Sequence, residues 1–163
     1  MLKSAHAIVG CLVLLPLALM AQSANDATKT AIHSTIDRFI GAWNHHDASA
    51  FAAVFTEDAD FTNWRGVGAS GRSEIEKFHA PLFATIVKNS HLEYADIKLR
   101  VIRTDVAAVD VHWKMAGATD PQGDLGPPRE GLLSFVMVNS GDTGPWQIAV
   151  MHNLDLTALP TSR

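Results

Sequence analysis

From Asp26 to His46 the apolar residues Ala27, Ala31, Ile32, Ile36, Phe39, Ile40 and Trp43 recur at spacings of three and four. That spacing puts them on one stripe of a helix, which Asn25 or Asp26 can cap. Asn44-His45-His46-Asp47 then marks a turn. Ala48 to Phe55 reads as a second, short helix with Phe51, Val54 and Phe55 on one side. At Asp58 the period changes to two. Ala59, Phe61 and Asn63 share one strand face through Trp64, and Asp60, Thr62 and Trp64 share the other. The loop Arg65–Gly71 follows. Ser73-Glu74-Ile75-Glu76 has capping-box spacing, with Ser70 as a rival N-cap. A third helix then runs to Lys88, with Ile75, Phe78, His79, Leu82 and Ile86 on its stripe.

After Asn89 the pattern is that of strands. His91–Ile102, Ala107–Ala116, Glu130–Asn139 and Trp146–Thr157 are rich in Val, Ile, Leu and aromatics. Arg103-Thr104-Asp105 is short enough to turn a hairpin. Gly117–Pro128 is a long Gly/Pro-rich loop, and Ser140–Pro145 turns the next hairpin. Helices first and an antiparallel meander afterwards predict an α+β fold rather than a βαβ repeat. Neither an internal repeat nor a second domain is visible.

The first residues fall outside this domain. Lys3 supplies a positive start, Ile8 to Leu19 an apolar run, and Ala21-Gln22-Ser23 a small-x-small cleavage pattern. The run is too short for a spanning helix, which needs roughly 20 residues. Residues 1–23 therefore read as a secretory signal peptide, and 24–163 as one exported domain, periplasmic or secreted. Loss of Lys3 takes the formal charge from −4 to −5. A mildly acidic domain without basic clusters argues against nucleic acid, and no later stretch suits a membrane. Cys11 is the only cysteine and leaves with the signal. The mature chain then has no disulfide, thiol nucleophile or thiolate metal site.

Several stretches suggest chemistry. Gly66, Gly68 and Gly71 fit G-x-G-x-x-G between a strand and a helix. The strand carries Asp58 and Asp60, and no parallel repeat follows, so the stretch reads as a loop at a pocket mouth and no cofactor is implied. His45-His46-Asp47 sits at a helix end, where adjacent side chains diverge, so no metal site is expected. His112 shares its strand face with Asp110 and Lys114, which turns it outward or into a subunit interface. His152 differs: Trp146, Ile148, Val150, His152 and Leu154 share one parity, which includes the natural core face. His79 lies in a helical apolar stripe, and Asn63 on the face of Ala59 and Phe61. Three inward polar groups from three elements either satisfy one another or line a pocket. His79 and His152 are the candidate catalytic groups. Asn63, Trp43, Phe61, Phe78 and Asn153 are the candidate ligand contacts.

Four motifs carry a resemblance. They are F-x3-W-N-x2-D (Phe39, Trp43, Asn44, Asp47), F-x3-F-x2-D-A-D-F-x-N (Phe51, Phe55, Asp58 to Phe61, Asn63), G-R-x-E-I-x3-H (Gly71, Arg72, Glu74, Ile75, His79) and W-x-I-x3-H-N (Trp146, Ile148, His152, Asn153). Together they resemble the SgcJ/EcaC group of SnoaL-like proteins, in the nuclear transport factor 2-like superfamily. The resemblance spans nearly all of 25–157. It implies a cone of three helices on a curved, mainly antiparallel sheet enclosing a cavity, and homodimers formed through the outer sheet face. It does not name a reaction, because the fold hosts many. Asn63 stands where ketosteroid isomerase has its aspartate base, and an amide cannot take that proton. His91 and His112 loosely resemble the histidine pair of scytalone-type dehydratases, whose helper aspartate would fall near Asn44.

Three functions follow as expectations. The first is an exported protein that binds a small apolar or hydroxylated molecule. The second is a cofactor-independent isomerase or lyase with His79 or His152 as general acid or base. The third is a structural or partner-binding dimer.

Overall fold

The computed structural model describes residues 14–141 and 144–157, with side chains from residue 25 onward. Lys3, Cys11 and the first half of the apolar run therefore lie outside the described residues, as does the tail beyond Thr157. The first helix, α1, spans Leu14–Asn44. It begins a dozen residues before the expected start and passes unbroken through Ala21–Ser23. Its later part meets the core through Ile32, Thr35, Ile36 and Phe39. No helix among the described residues is long and apolar enough to cross a membrane.

Helix α2 covers Ala48–Ala53, and Asp47 caps it by accepting from the Ala50 N–H at 2.9 Å. It is two residues shorter than expected. Strand β1 (Phe55–Thr62) begins at once, three residues before the alternating pattern becomes clear. The expected loop at 65–71 is largely a hairpin: β2 (Gly68–Ser70) pairs antiparallel with β1. Helix α3 runs Arg72–Ala84 and stops short of Lys88. Its N-cap is Gly71 at φ 83°, a conformation that favours glycine. Neither serine caps it; the Glu74 carboxylate instead accepts from the Ser70 N–H at 3.1 Å.

Strands β3 (His91–Arg103), β4 (Val106–Ala116), β5 (Arg129–Asn139) and β6 (Trp146–Asp155) match the expected meander closely. The six strands form one curved, unclosed sheet in the order β2-β1-β6-β5-β4-β3. Pairing is antiparallel except between β1 and β6, which are parallel. That one crossover brings the first strand of the chain beside the last, and it left no mark in the sequence. It also delivers α3 to the sheet's inner face.

One detail of β6 decides where side chains point. Val136 pairs with Val150, yet the next residue, Met137, pairs with Ile148. Ala149 is therefore an extra residue, a β-bulge. Before it, Trp146 and Ile148 are buried; after it, Met151 is buried and His152 is exposed. The phase of the alternation is inverted across one alanine.

The core lies between the helices and the inner sheet face. Phe39, Phe51, Phe55 and Phe135 are each at most 1 % exposed and pack as tilted or edge-on rings. Two buried hydroxyls hold α1 in place. Thr35 donates to the Trp146 carbonyl at 2.8 Å, and Ser90 accepts from the Trp43 indole at 3.1 Å. Asn44 does the same at the helix end. Its amide donates to the Leu92 carbonyl (2.9 Å) while its oxygen accepts from the Leu92 N–H (2.8 Å), so the side chain pairs with β3 as a strand would.

Candidate functional site

His79 sits on α3 between Ile75 and Phe83, one helical turn from each, and all three are buried. Five aromatic side chains surround its ring. Centroids lie 4.3 Å away for Phe51, 4.9 Å for Phe61, 5.1 Å for Phe78, 5.7 Å for Phe83 and 6.3 Å for Trp43. Only 2 % of His79 is exposed. Its Nδ1 is 2.7 Å from the Ile75 carbonyl. A carbonyl can only accept, so Nδ1 carries the proton and Nε2 is left with a lone pair. Nε2 makes no hydrogen bond among the described residues. Burial among apolar rings pushes the pKa down to about 4, against a smaller upward pull from the Ile75 carbonyl. The imidazole is thus neutral at pH 7, an acceptor in an apolar box.

The expected companions of His79 are elsewhere. Asn63 lies one residue past β1, and its Oδ1 accepts from the N–H groups of Arg65 (2.8 Å) and Val67 (2.9 Å). The amide closes the β1–β2 turn, so the expectation that it faces a pocket is corrected. Asn, with its habit of bonding its own downstream backbone, beside Gly66 at φ 77° was the available signal. His152 is corrected in the same way: the Ala149 bulge turns it to the outer face. The run Ala149-Val150-Met151, three apolar residues where alternation should show a break, is the trace of that bulge in the sequence. Asn153 takes the inward phase instead, and its Oδ1 accepts from the Trp113 indole at 3.0 Å. Trp113 packs against Gly131, where an added Cβ would come within 2.4 Å of the ring.

Of the candidate ligand contacts, Trp43, Phe61 and Phe78 do gather at His79. Phe78 is half-buried and covers the ring from the open side of α3. The other histidines have separate tasks. His45 Nδ1 meets the Gly41 carbonyl, His46 Nε2 the Ser90 carbonyl, and Asp47 caps α2. His112 points outward, as expected, and His91 is exposed beside Glu93. No group of three His, Cys, Asp or Glu among the described residues is arranged to hold a metal ion. Two open clefts of about 450 and 470 Å³ share Lys114 and Glu130 and are lined mainly by outward residues of β3, β4 and β5. Neither includes Asn63, His79 or His152. The sequence also missed a clasp at the sheet's end: the Arg65 and Arg129 guanidinium groups lie 4.6 and 4.2 Å from the Trp64 ring centroid, and Arg129 pairs with Asp155.

Comparison with known proteins adds the following. A family model described as a SnoaL-like domain matches residues 36–138. No curated protein matches. Among solved structures, the chain is 33 % identical to a domain of unknown function with a cystatin-like fold from Nostoc punctiforme. That match covers 78 % of this chain and 76 % of the other, at a TM-score of 0.67. A nuclear transport factor 2-like superfamily protein from Salmonella enterica is 20 % identical over 85 % of this chain and 96 % of the other, with a TM-score of 0.72. A putative scytalone dehydratase from Novosphingobium aromaticivorans is 17 % identical over 82 % and 87 %, with a TM-score of 0.69. At those lower identities the likeness is one of fold.

Proposed function

The chain belongs to the SnoaL-like family, and on that premise we propose that it binds a small, mostly apolar molecule whose hydroxyl or N–H group donates to His79 Nε2. One observation carries the reading: a neutral imidazole acceptor without a partner, set in a shell of five aromatic side chains. Nε2 has no protein partner among the described residues, so its lone pair is open to a ligand donor. The aromatic rings supply the apolar contact that small-molecule sites use. Phe78 and Trp43 are the half-buried rings of the shell; the Trp43 indole is tied to Ser90, which leaves Phe78 as the natural gate, its outward rotation uncovering His79. Export of the protein, with 1–23 as a signal, belongs to the same proposal. N-terminal sequencing of the secreted protein should then begin at or near Ala24.

Thermal-shift titration with matched pairs tests the binding: a phenol against its benzene analogue, a cyclic alcohol against its cycloalkane. The hydroxylated member of each pair should raise Tm more, and His79→Phe should erase the difference. Equal shifts for both members in the unaltered protein overturn the role given to Nε2. The isomerase or lyase reading has less support. It asks for a second polar group beside His79, and Asn63 and His152 are directed elsewhere. A base with a pKa of about 4 is also poorly matched to proton transfer near neutrality.

A further inference from the structure

The turn after β1 brings two cations together at the rim of the inner sheet face. Trp64 and Arg65 follow Asn63 in that turn, and the Trp64 ring meets the guanidinium groups of both Arg65 and Arg129. Strand β6 separates β1 from β5. A contact between Trp64 and Arg129, which opens β5, therefore carries the turn over the end of β6. Arg129 and Asp155 lie in the inward phase of their strands, Arg129 with Gly131 and Leu133, Asp155 with Met151 and Asn153. They satisfy each other: Arg129 Nε and Nη2 both donate to Asp155 Oδ2, and Asp155 Oδ1 accepts from the Thr157 N–H. Arg65 has no such partner. Among the described residues no carboxylate lies within ion-pair distance of its guanidinium. The indole orients that cation without neutralising it. Asn153 is also only half satisfied. Its Oδ1 accepts from the Trp113 indole, which fixes the amide and leaves Nδ2 a donor without a partner among the described residues.

These groups follow one another along the inner face. Phe61, whose ring is 4.9 Å from that of His79, pairs with Met151. Asn153 and then Asp155 continue the inward phase of β6 from there, roughly 7 and 13 Å further on at about 3.3 Å per residue. An unpaired acceptor, His79 Nε2, thus stands at one end of a track, an unpaired amide donor along it and an unpaired cation at the other end. One molecule meets all three if it has a hydroxyl, an apolar body and an anionic acceptor. We propose that the molecule bound at His79 is a hydroxylated carboxylic acid, its hydroxyl on His79 Nε2 and its carboxylate on Arg65, with Asn153 Nδ2 as a donor between them. The proposal rests on the reading of His79 as a hydroxyl acceptor and adds the chemistry of the far end. A carboxylate suits Arg65 because the planar guanidinium can donate to both of its oxygens. It also suits the rim, where the charge stays near water while the body enters the aromatic shell. The reverse orientation is refused: His79 Nδ1–H is spent on the Ile75 carbonyl, so the apolar box offers an anion no donor.

Isothermal titration calorimetry tests the assignment with para-hydroxybenzoate, para-hydroxyphenylpropanoate and para-hydroxyphenylhexanoate. Each is compared with its methyl ester and with the analogue that lacks the hydroxyl. The longer acids should bind roughly tenfold more tightly than their esters. The benzoate should bind no better than its ester, because its carboxylate stops short of the rim. Arg65→Gln should abolish the advantage of the acid and keep that of the hydroxyl, and His79→Phe should do the reverse. Added salt should shrink the acid's advantage alone. Arg65 is exposed in a turn, so its variant should melt with the parent. Acids and esters of equal affinity at every length, with the hydroxyl advantage intact, would overturn the carboxylate and leave the reading of His79 standing. An acid advantage that survives Arg65→Gln would overturn the role of Arg65. An acid advantage lost in Arg65→Gln, without any advantage for the hydroxyl, would instead overturn the role of His79. Failure of the whole series to bind would overturn both.

Discussion

Helix α3 and strand β6 each carry a histidine within an apolar repeat, and only the helix keeps its histidine inside. In α3 the repeat Ile75, His79, Phe83 is buried throughout. A helix makes its hydrogen bonds within the segment, so the facing of each residue follows from its own spacing. In β6 the repeat Trp146, Ile148, Val150, His152 breaks at Ala149. A strand takes its phase from its partners, and one unpaired residue turns everything beyond it to the other face. Helical periodicity is thus evidence about facing along a whole segment. Strand alternation is evidence only up to the next bulge.

Deleting Ala149 attacks that difference most directly. Met151 and Asn153 would turn outward, and His152 inward against Phe135 and Phe61. Met151 is 3 % exposed in the native sheet, and the imidazole would enter with no partner prepared for it. The expected loss is about 4 kcal/mol or more, read as a fall in the urea midpoint. A variant as stable as the parent would mean that β6 can slip its register freely, and the contrast with α3 would fail.

His79 gives the next largest effect, through pH. Its folded-state pKa of about 4 lies below the 6.5 of an unperturbed histidine. As pH falls, the unfolded chain takes up the proton first. The contribution is therefore complete above about pH 6.5 and is lost progressively toward about pH 4. The span corresponds to about 3 kcal/mol. Urea melts from pH 7 to pH 4 should show this decline, and His79→Phe should flatten that part of it. An unaltered slope in His79→Phe would show that the imidazole reaches water before the chain unfolds.

Much of the fold was legible because it rests on periodicity. The four-strand meander, α2, and the buried stripe of α3 follow from apolar spacing that tertiary contacts reinforce. The parallel β1–β6 pairing was not legible, because neither strand has a partner-specific pattern. Strand β2 was hidden by its own composition: Gly68 lies where an added Cβ would sit 3.2 Å from the Phe61 carbonyl, so a paired residue looked like loop. Of the site, the aromatic shell was partly readable. Trp43, Phe61, Phe78 and His79 were singled out and do meet, while Phe51 was read only as the apolar side of the second helix and Phe83 was left off the stripe of the third. Asn63 and His152 were misplaced for one shared reason. Asn63 lies in the turn just past β1 and His152 beyond the bulge within β6, so the alternation on which their facing was argued is interrupted before each.

Asn153 offers a smaller effect on the inward side of the same strand. Asn153→Ala removes the acceptor of the Trp113 indole, which is 4 % exposed. A buried donor left unpaired costs roughly 1–3 kcal/mol, so the urea midpoint should fall modestly. Trp113 fluorescence should shift as its surroundings change. No change in either would mean that the indole has another partner, such as water.

The smallest effect belongs to His152→Ala. Its ring is exposed and makes no hydrogen bond among the described residues. Its stability should stay within the roughly ±0.5 kcal/mol of ordinary surface changes, read as an unchanged urea midpoint. A clear loss would return the residue to the core and contradict the bulge.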